Sequence, residues 1–168
     1  MKVALLIMAM ILVGCSATKV THGIPNLRVV NKNVYRGGQP TDEGIRWLES
    51  QGVTTIVKLN EAEPEPWGGY RLKECPIGNE EMVFNLPAWK VEYGVGCIRH
   101  SPGKVFVHCL HGQDRTGLIV AAYRVRVEHW SKAKAEKEML KYGFHKDLRG
   151  LWERWESFSE LPPKKEDN

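Results

Sequence analysis

Two hydrophobic periods alternate along the chain. Residues 27–30, 34–36, 53–59, 82–86 and 104–108 are short runs rich in Val, Ile, Phe and Tyr, the pattern of buried or half-buried strands. Asn31-Lys32-Asn33 separates the first two runs and predicts a hairpin. Thr41-Asp42-Glu43 reads as a helix start, with Ile45 and Leu48 on one face and an end near Gln51-Gly52. Residues 116–129, 131–142 and 147–158 carry the helical period. Segment 61–80 holds Pro64, Pro66, Gly68, Gly69, Pro76 and Gly78 and is expected to be one long loop. Strands followed by helices predict an α/β domain with a four- or five-stranded sheet flanked by helices.

The two ends depart from this pattern. Lys2 precedes an apolar stretch, residues 3–13, that is too short to span a bilayer comfortably and reads as a secretory signal. Leu12-Val13-Gly14-Cys15 resembles a bacterial lipobox. The resemblance implies lipidation of Cys15, anchoring to a membrane surface and, because Ser16 follows, an outer-membrane or periplasmic location. An ordinary cleaved signal, leaving a soluble periplasmic or secreted protein, is the alternative. The expected partition is residues 1–15 signal, 16–26 tether, 27–160 catalytic domain and 161–168 flexible tail. About 150 residues then remain, enough for one core, and a monomer is expected. The net charge of +4 hints at an anionic ligand and gives no reason to expect nucleic acid.

The chemistry concentrates in His108-Cys109-Leu110-His111-Gly112-Gln113-Asp114-Arg115-Thr116-Gly117. A strand enters this run and an apolar helix leaves it. Strand, tight loop and helix N-terminus form a site for phosphate, because loop N–H groups and the helix end turn toward an anion. The same field favours the thiolate of Cys109, the form that attacks. Arg115 has a planar fork for two phosphoryl oxygens. Thr116 could donate its hydroxyl to Cys109, and Gly112 permits a positive φ. Leu110, His111, Gly112 and Gln113 would surround the bound phosphate.

These residues resemble the His-Cys-x5-Arg-Ser/Thr signature of the cysteine-dependent phosphatases. Val34-Tyr35-Arg36-Gly37-Gly38-Gln39-Pro40, followed by a helix and a β-rich run, is similar to the start of bacterial dual-specificity-like members. The resemblance covers most of residues 27–158 and implies a phosphomonoesterase. In such an enzyme Cys109 would attack, Arg115 and loop N–H groups would hold the phosphoryl group, and a thiophosphate would then be hydrolysed. It implies no metal and no cofactor. His22, His100, His129 and His145 likewise lack metal-ligand spacing.

The usual general acid of this family is an Asp on a separate loop. Here Asp occurs only at positions 42, 114, 147 and 167, and the expected loop, residues 85–92, has none. Asp114 is the first candidate, because lipid-directed relatives with a Gly-x-Asp-Arg-Thr loop are proposed to use that carboxyl. Glu92 is the second, and a loop-bracing role for Asp114 the bland alternative. His108 is expected behind the nucleophile, fixing its backbone and pointing away from it. Arg36, Lys58 and Lys90 could supply charge around the mouth, and Trp67, Tyr70, Trp89 or Tyr93 an aromatic wall. Cys75 and Cys97 either pair with each other, place one thiol where it could form a protective disulfide with Cys109, or stay as thiols. The expected substrate is a small polyanionic ester, an inositol polyphosphate as in phytase-like enzymes. A tyrosine or dual-specificity phosphoprotein, a phosphoinositide and, remotely, non-catalytic phosphate binding are the alternatives.

Overall fold

The computed structural model describes residues 19–61 and 69–160. The signal, Cys15, the tail and Trp67 lie outside the described residues. Within them a five-stranded sheet has the order β3-β4-β7-β5-β6. Its strands are β3 (Arg28–Asn31), β4 (Val34–Gly37), β5 (Val53–Lys58), β6 (Arg71–Glu74) and β7 (Lys104–His108). Only the β3–β4 hairpin is antiparallel; β4, β7, β5 and β6 run parallel. In parallel sheets ligands bind beyond the carboxyl ends of the strands, and residue 109 begins there.

The expected tether is partly folded. Val20–Thr21 (β1) and Ile24–Pro25 (β2) pair as a small ribbon, and Ile24 is fully buried. Ile24 packs with Tyr35, Ile45, Leu48, Val53, Ile56 and Phe106 under α1 (Asp42–Ser50), whose N-cap Thr41 accepts from the Gly44 N–H. The opposite sheet face carries α3 (Ala88–Arg99), α4 (Asp114–Arg126), α5 (Lys132–Lys141) and α6 (Arg149–Glu156) over the larger core. Helix α4 is buried from Asp114 through Val125, which explains its apolar run.

The middle of the chain differs from expectation. Segment 61–80 contains β6, which extends the sheet by pairing Thr55–Lys58 with Arg71–Glu74. The run 82–86 is not a strand: Asn79–Val83 forms the short helix α2. The Glu81 carboxylate reaches back to accept from the Gly78 N–H at 2.8 Å and closes that first turn. The expected acid loop is largely α3. Its glycines lower helix propensity, but Gly94 is needed there. A Cβ at Gly94 would sit 2.9 Å from the Ile119 side chain, so the missing side chain lets α3 close on α4. A disulfide between Cys75 and Cys97 ties the end of β6 to α3.

Candidate active site

The loop after β7 is held from outside by its carbonyl groups. The Gln39 N–H donates to Leu110 O at 3.0 Å. Asn26 Nδ2 donates to His111 O at 2.8 Å. Arg36 Nη2 donates to Gly112 O at 2.9 Å and, more weakly, to Gln113 O at 3.5 Å. The Gly117 N–H also donates to Gln113 O, at 2.8 Å. In a trans peptide the N–H points opposite to the C=O. Four outward carbonyls therefore turn the N–H groups of His111, Gly112, Gln113 and Asp114 inward. One of these closes on the sulfur: the Gly112 N–H donates to Cys109 Sγ at 3.3 Å. The result is a cup of amide donors at a helix N-terminus, the arrangement that stabilises a thiolate or a phosphoryl oxygen.

Gly112 has φ +74°, and its missing side chain makes room for the Gly37–Gly38 backbone. Cys109 is buried and has a free thiol. Arg115 is 7% exposed, and its Nη2 donates to Asn79 Oδ1 at 2.6 Å. Its Nε has no partner among the described residues. Asn79, in the first turn of α2, thus fixes one edge of the guanidinium without adding negative charge. The other edge stays available to an anion.

Several expected residues are placed differently. Arg36 does not face a mouth; it is buried beneath the loop that it braces. Burial lowers its pKa to about 10, while Glu138 and Cys109 oppose that shift, so it stays charged at neutral pH. Lys58 is also buried, 3.8 Å from Glu74. Lys90 Nζ bonds Glu81 Oε2 at 2.7 Å, in a cleft shared with Glu61, Gly78, Asn79 and Glu80. The three basic residues expected at the mouth are therefore buried or neutralised by carboxylates. Glu92 pairs with Arg126 at 2.8 Å, at the opposite end of α4 from Asp114, so the structure does not bring it to the cup. Thr116 is buried, and its hydroxyl has no hydrogen bond among the described residues; the expected bond to Cys109 is absent. His111 and Leu110 are exposed on the rim, while Gln113 is half-buried against Gly143. Tyr70 donates to Ile45 O, whereas Trp89 and Tyr93 are exposed on α3.

Asp114 is 8% exposed. Its Oδ1 accepts from the His145 backbone N–H at 2.8 Å and lies 3.0 Å from His145 Nδ1. Sequence reasoning missed His145, Asn79, Asn26 and Gln39. All four act through contacts distant in sequence, and none lies in a motif that marks its partner.

His108 stacks on Phe106 at 5.5 Å, on the α1 side of the sheet, opposite the core that contains Cys109. Burial lowers its pKa to about 4; a hydrogen bond with the Cys109 backbone opposes the shift and Lys58 adds to it. The ring is neutral at neutral pH. An unfolded His binds a proton near pH 6.5, so the stability contribution is complete above about pH 6.5 and is lost as pH falls toward about 4. The loss is on the order of 3 kcal/mol. Urea midpoints measured from pH 7 to 4 should fall, and His108→Asn should flatten that fall. Equal slopes in both proteins would mean that another group dominates.

Comparison with known proteins places this geometry. A family model described as DSP-PTPase phosphatase fused to NAD+ Kinase matches residues 21–69. The dual specificity protein phosphatase TpbA of Pseudomonas aeruginosa (strain UCBPP-PA14) is 30% identical over 122 residues, 71% of this chain and 55% of that protein. Inositol diphosphatase DSP2 of Oryza sativa subsp. japonica is 29% identical over 119 residues, 62% of this chain and 55% of its own length. The chain thus spans about half the length of these two curated relatives. It covers more of a putative tyrosine-protein phosphatase of Mycosarcoma maydis, OCA1: 30% identity over 130 residues, 70% of this chain and 80% of the relative. Among solved structures, P. aeruginosa TpbA superposes with TM-score 0.69 at 24% identity, covering 85% of this chain and 90% of that one. The Siw14 catalytic core has TM-score 0.68 at 20% identity, over 80% and 85%. Similarity along most of the chain, the shared fold and the signature loop together lead to one conclusion: the chain belongs to the dual-specificity, protein-tyrosine-phosphatase-like family of cysteine phosphatases.

Proposed function

We propose that the chain hydrolyses phosphate monoesters through Cys109. The observation that carries this reading is the cup itself: outward carbonyls, inward N–H groups and a half-free Arg115 around one thiol. The thiolate sulfur donates its electron pair to phosphorus as the P–O ester bond breaks. Asp114 gives its proton to the departing ester oxygen. Water then attacks phosphorus and returns a proton to Asp114. The P–S bond breaks and the thiolate re-forms. Arg115 and the N–H groups hold the equatorial oxygens in both steps.

The substrate reading shifts from the inositol polyphosphate expected from the sequence. That expectation drew on export and on the mild basic excess around the loop; Arg36, Lys58 and Lys90 together at one mouth would have strengthened it, and none of them offers free charge at the rim. Carboxylates of Glu61, Glu80 and Glu81 line the cleft beside Asn79 instead. A second or third phosphate on that side would meet like charge. A singly phosphorylated side chain, phosphotyrosine first, fits this rim better, with the exposed Trp89 beside Lys90 at the same cleft. An inositol phosphate substrate remains the second reading, supported by relatives named inositol diphosphatase.

Phosphate release without added metal, from a phosphotyrosine peptide, inositol hexakisphosphate and a phosphoinositide, separates these readings. We expect the peptide to lead by about tenfold or more in kcat/KM. A lead for inositol hexakisphosphate would reverse the order, and no release from any ester would defeat the hydrolase reading. Export and lipidation at Cys15 belong to the same proposal and are supported by the sequence of residues 2–15. The mass of the mature N-terminus from an export-competent host tests them: an unmodified Met1 would refute both.

A further inference from the structure

The turn after α5 contributes a residue that the signature loop does not contain. Asp114 Oδ1 meets one residue twice: it accepts from the His145 backbone N–H and lies 3.0 Å from the His145 ring Nδ1. The backbone N–H of the same residue already makes Oδ1 an acceptor, and we assign the hydrogen of the ring to Nδ1, where it completes the pair of donors on that oxygen. The His145 side chain is 57% exposed, whereas that of Asp114 is 10% exposed. The ring is therefore not there to fill core. Neighbouring Lys146 is drawn to Glu136, at 3.7 Å, and stands over the Trp152 ring, which leaves Asp114 to His145. Gly143, two residues earlier, closes the turn against Gln113: a Cβ there would lie 2.5 Å from Gln113 Nε2. The turn is thus seated on the signature loop at two consecutive positions.

The consequence concerns which oxygen moves the proton. With two donors aimed at Oδ1, a proton on that oxygen would meet N–H hydrogens head-on. Oδ2 accepts no hydrogen bond among the described residues and is the oxygen left to exchange a proton. We propose that His145 is the positioning residue of the general acid. Its ring N–H fixes the rotation of the Asp114 carboxyl so that the transferable proton stays on Oδ2, toward the departing ester oxygen. This inference rests on the hydrolase reading given above. In the first step the Oδ2 proton goes to the leaving oxygen, and in the second a water proton replaces it. His145 itself keeps its Nδ1 hydrogen throughout.

The test compares two monoesters on four proteins: an alkyl phosphate, whose leaving group needs a proton, and an activated aryl phosphate, which needs one far less. His145→Ala keeps the backbone N–H but removes the ring donor. It should lower kcat on the alkyl ester by about tenfold or more and on the aryl ester by less than about threefold. His145→Asn places an amide N–H close to the position of Nδ1 and should restore most of the alkyl-ester rate. Asp114→Asn should show the same leaving-group selectivity, and adding His145→Ala to it should cost nothing further. Equal losses on both esters, no rescue by Asn, or additive losses would each overturn the positioning role. Wild-type protein that hydrolyses neither ester would defeat the parent reading instead, and this inference with it.

Discussion

Cys109→Ser is expected to cut phosphate release by on the order of 10⁴-fold or more. A serine hydroxyl attacks only if a base removes its proton. Among the described residues none is placed to do so in the first step: His108 is buried on the other face of the sheet, and Asp114 enters that step already carrying the proton that it gives to the leaving oxygen. The amide cup and Arg115 are untouched by the exchange, so calorimetry should find inorganic phosphate bound with an affinity within about threefold of wild type. Residual turnover within about tenfold of wild type would mean that Cys109 is not the nucleophile.

Gly112→Ala should be nearly as damaging by a different route. The added Cβ would lie 2.3 Å from Gly37 C and 2.4 Å from Gly38 N, with φ at +74°. Those neighbours are backbone of β4 and its continuation, so no rotamer change relieves the overlap. The clash and the left-handed φ together should cost more than about 3 kcal/mol, lowering Tm by about 10 °C. Moving the loop also pulls Gly112 O from Arg36, and activity should fall by about a hundredfold or more even well below Tm. A variant melting within about 2 °C of wild type would show that the loop does not lie against β4 as described.

The sequence made the machinery legible and its supports much less so. Cys109, Arg115 and the inward N–H groups follow from a local run in which strand, glycine turn and apolar helix are contiguous, and local structure decides their geometry. Four of the five strands of the main sheet and the helices α1, α4, α5 and α6 were readable for the same reason: each is a contiguous apolar run or buries a face with a clear period. What failed depended on tertiary contact. The run 82–86 has strand-like residues, yet Glu81 closing on Gly78 and the packing of α6, where Gly150 lies against Glu81 O, make the preceding turn helical. α3 hid behind Gly94 and Gly96, and the small size of Gly94 matters only once α4 is in place. Arg36 and Lys58 looked like surface charge because composition cannot reveal the loop carbonyl that meets one or the Glu74 carboxylate beside the other. His145 shows the same limit: its meaning lies 31 residues away at Asp114.

The outside bracing of the loop also bears on when the protein becomes reactive as it folds. Two of its braces join residues far apart in the chain, by 85 positions for Asn26 to His111 and by 76 for Arg36 to Gly112. Contacts of such span close late, after the entropy of a long intervening loop has been lost. α4 can form earlier from its own local hydrogen bonds, with the thiol just before it but its amide donors still unaligned. A nascent or partly unfolded chain would then carry an ordinary cysteine, and the activated one would arrive only with the last long-range contacts.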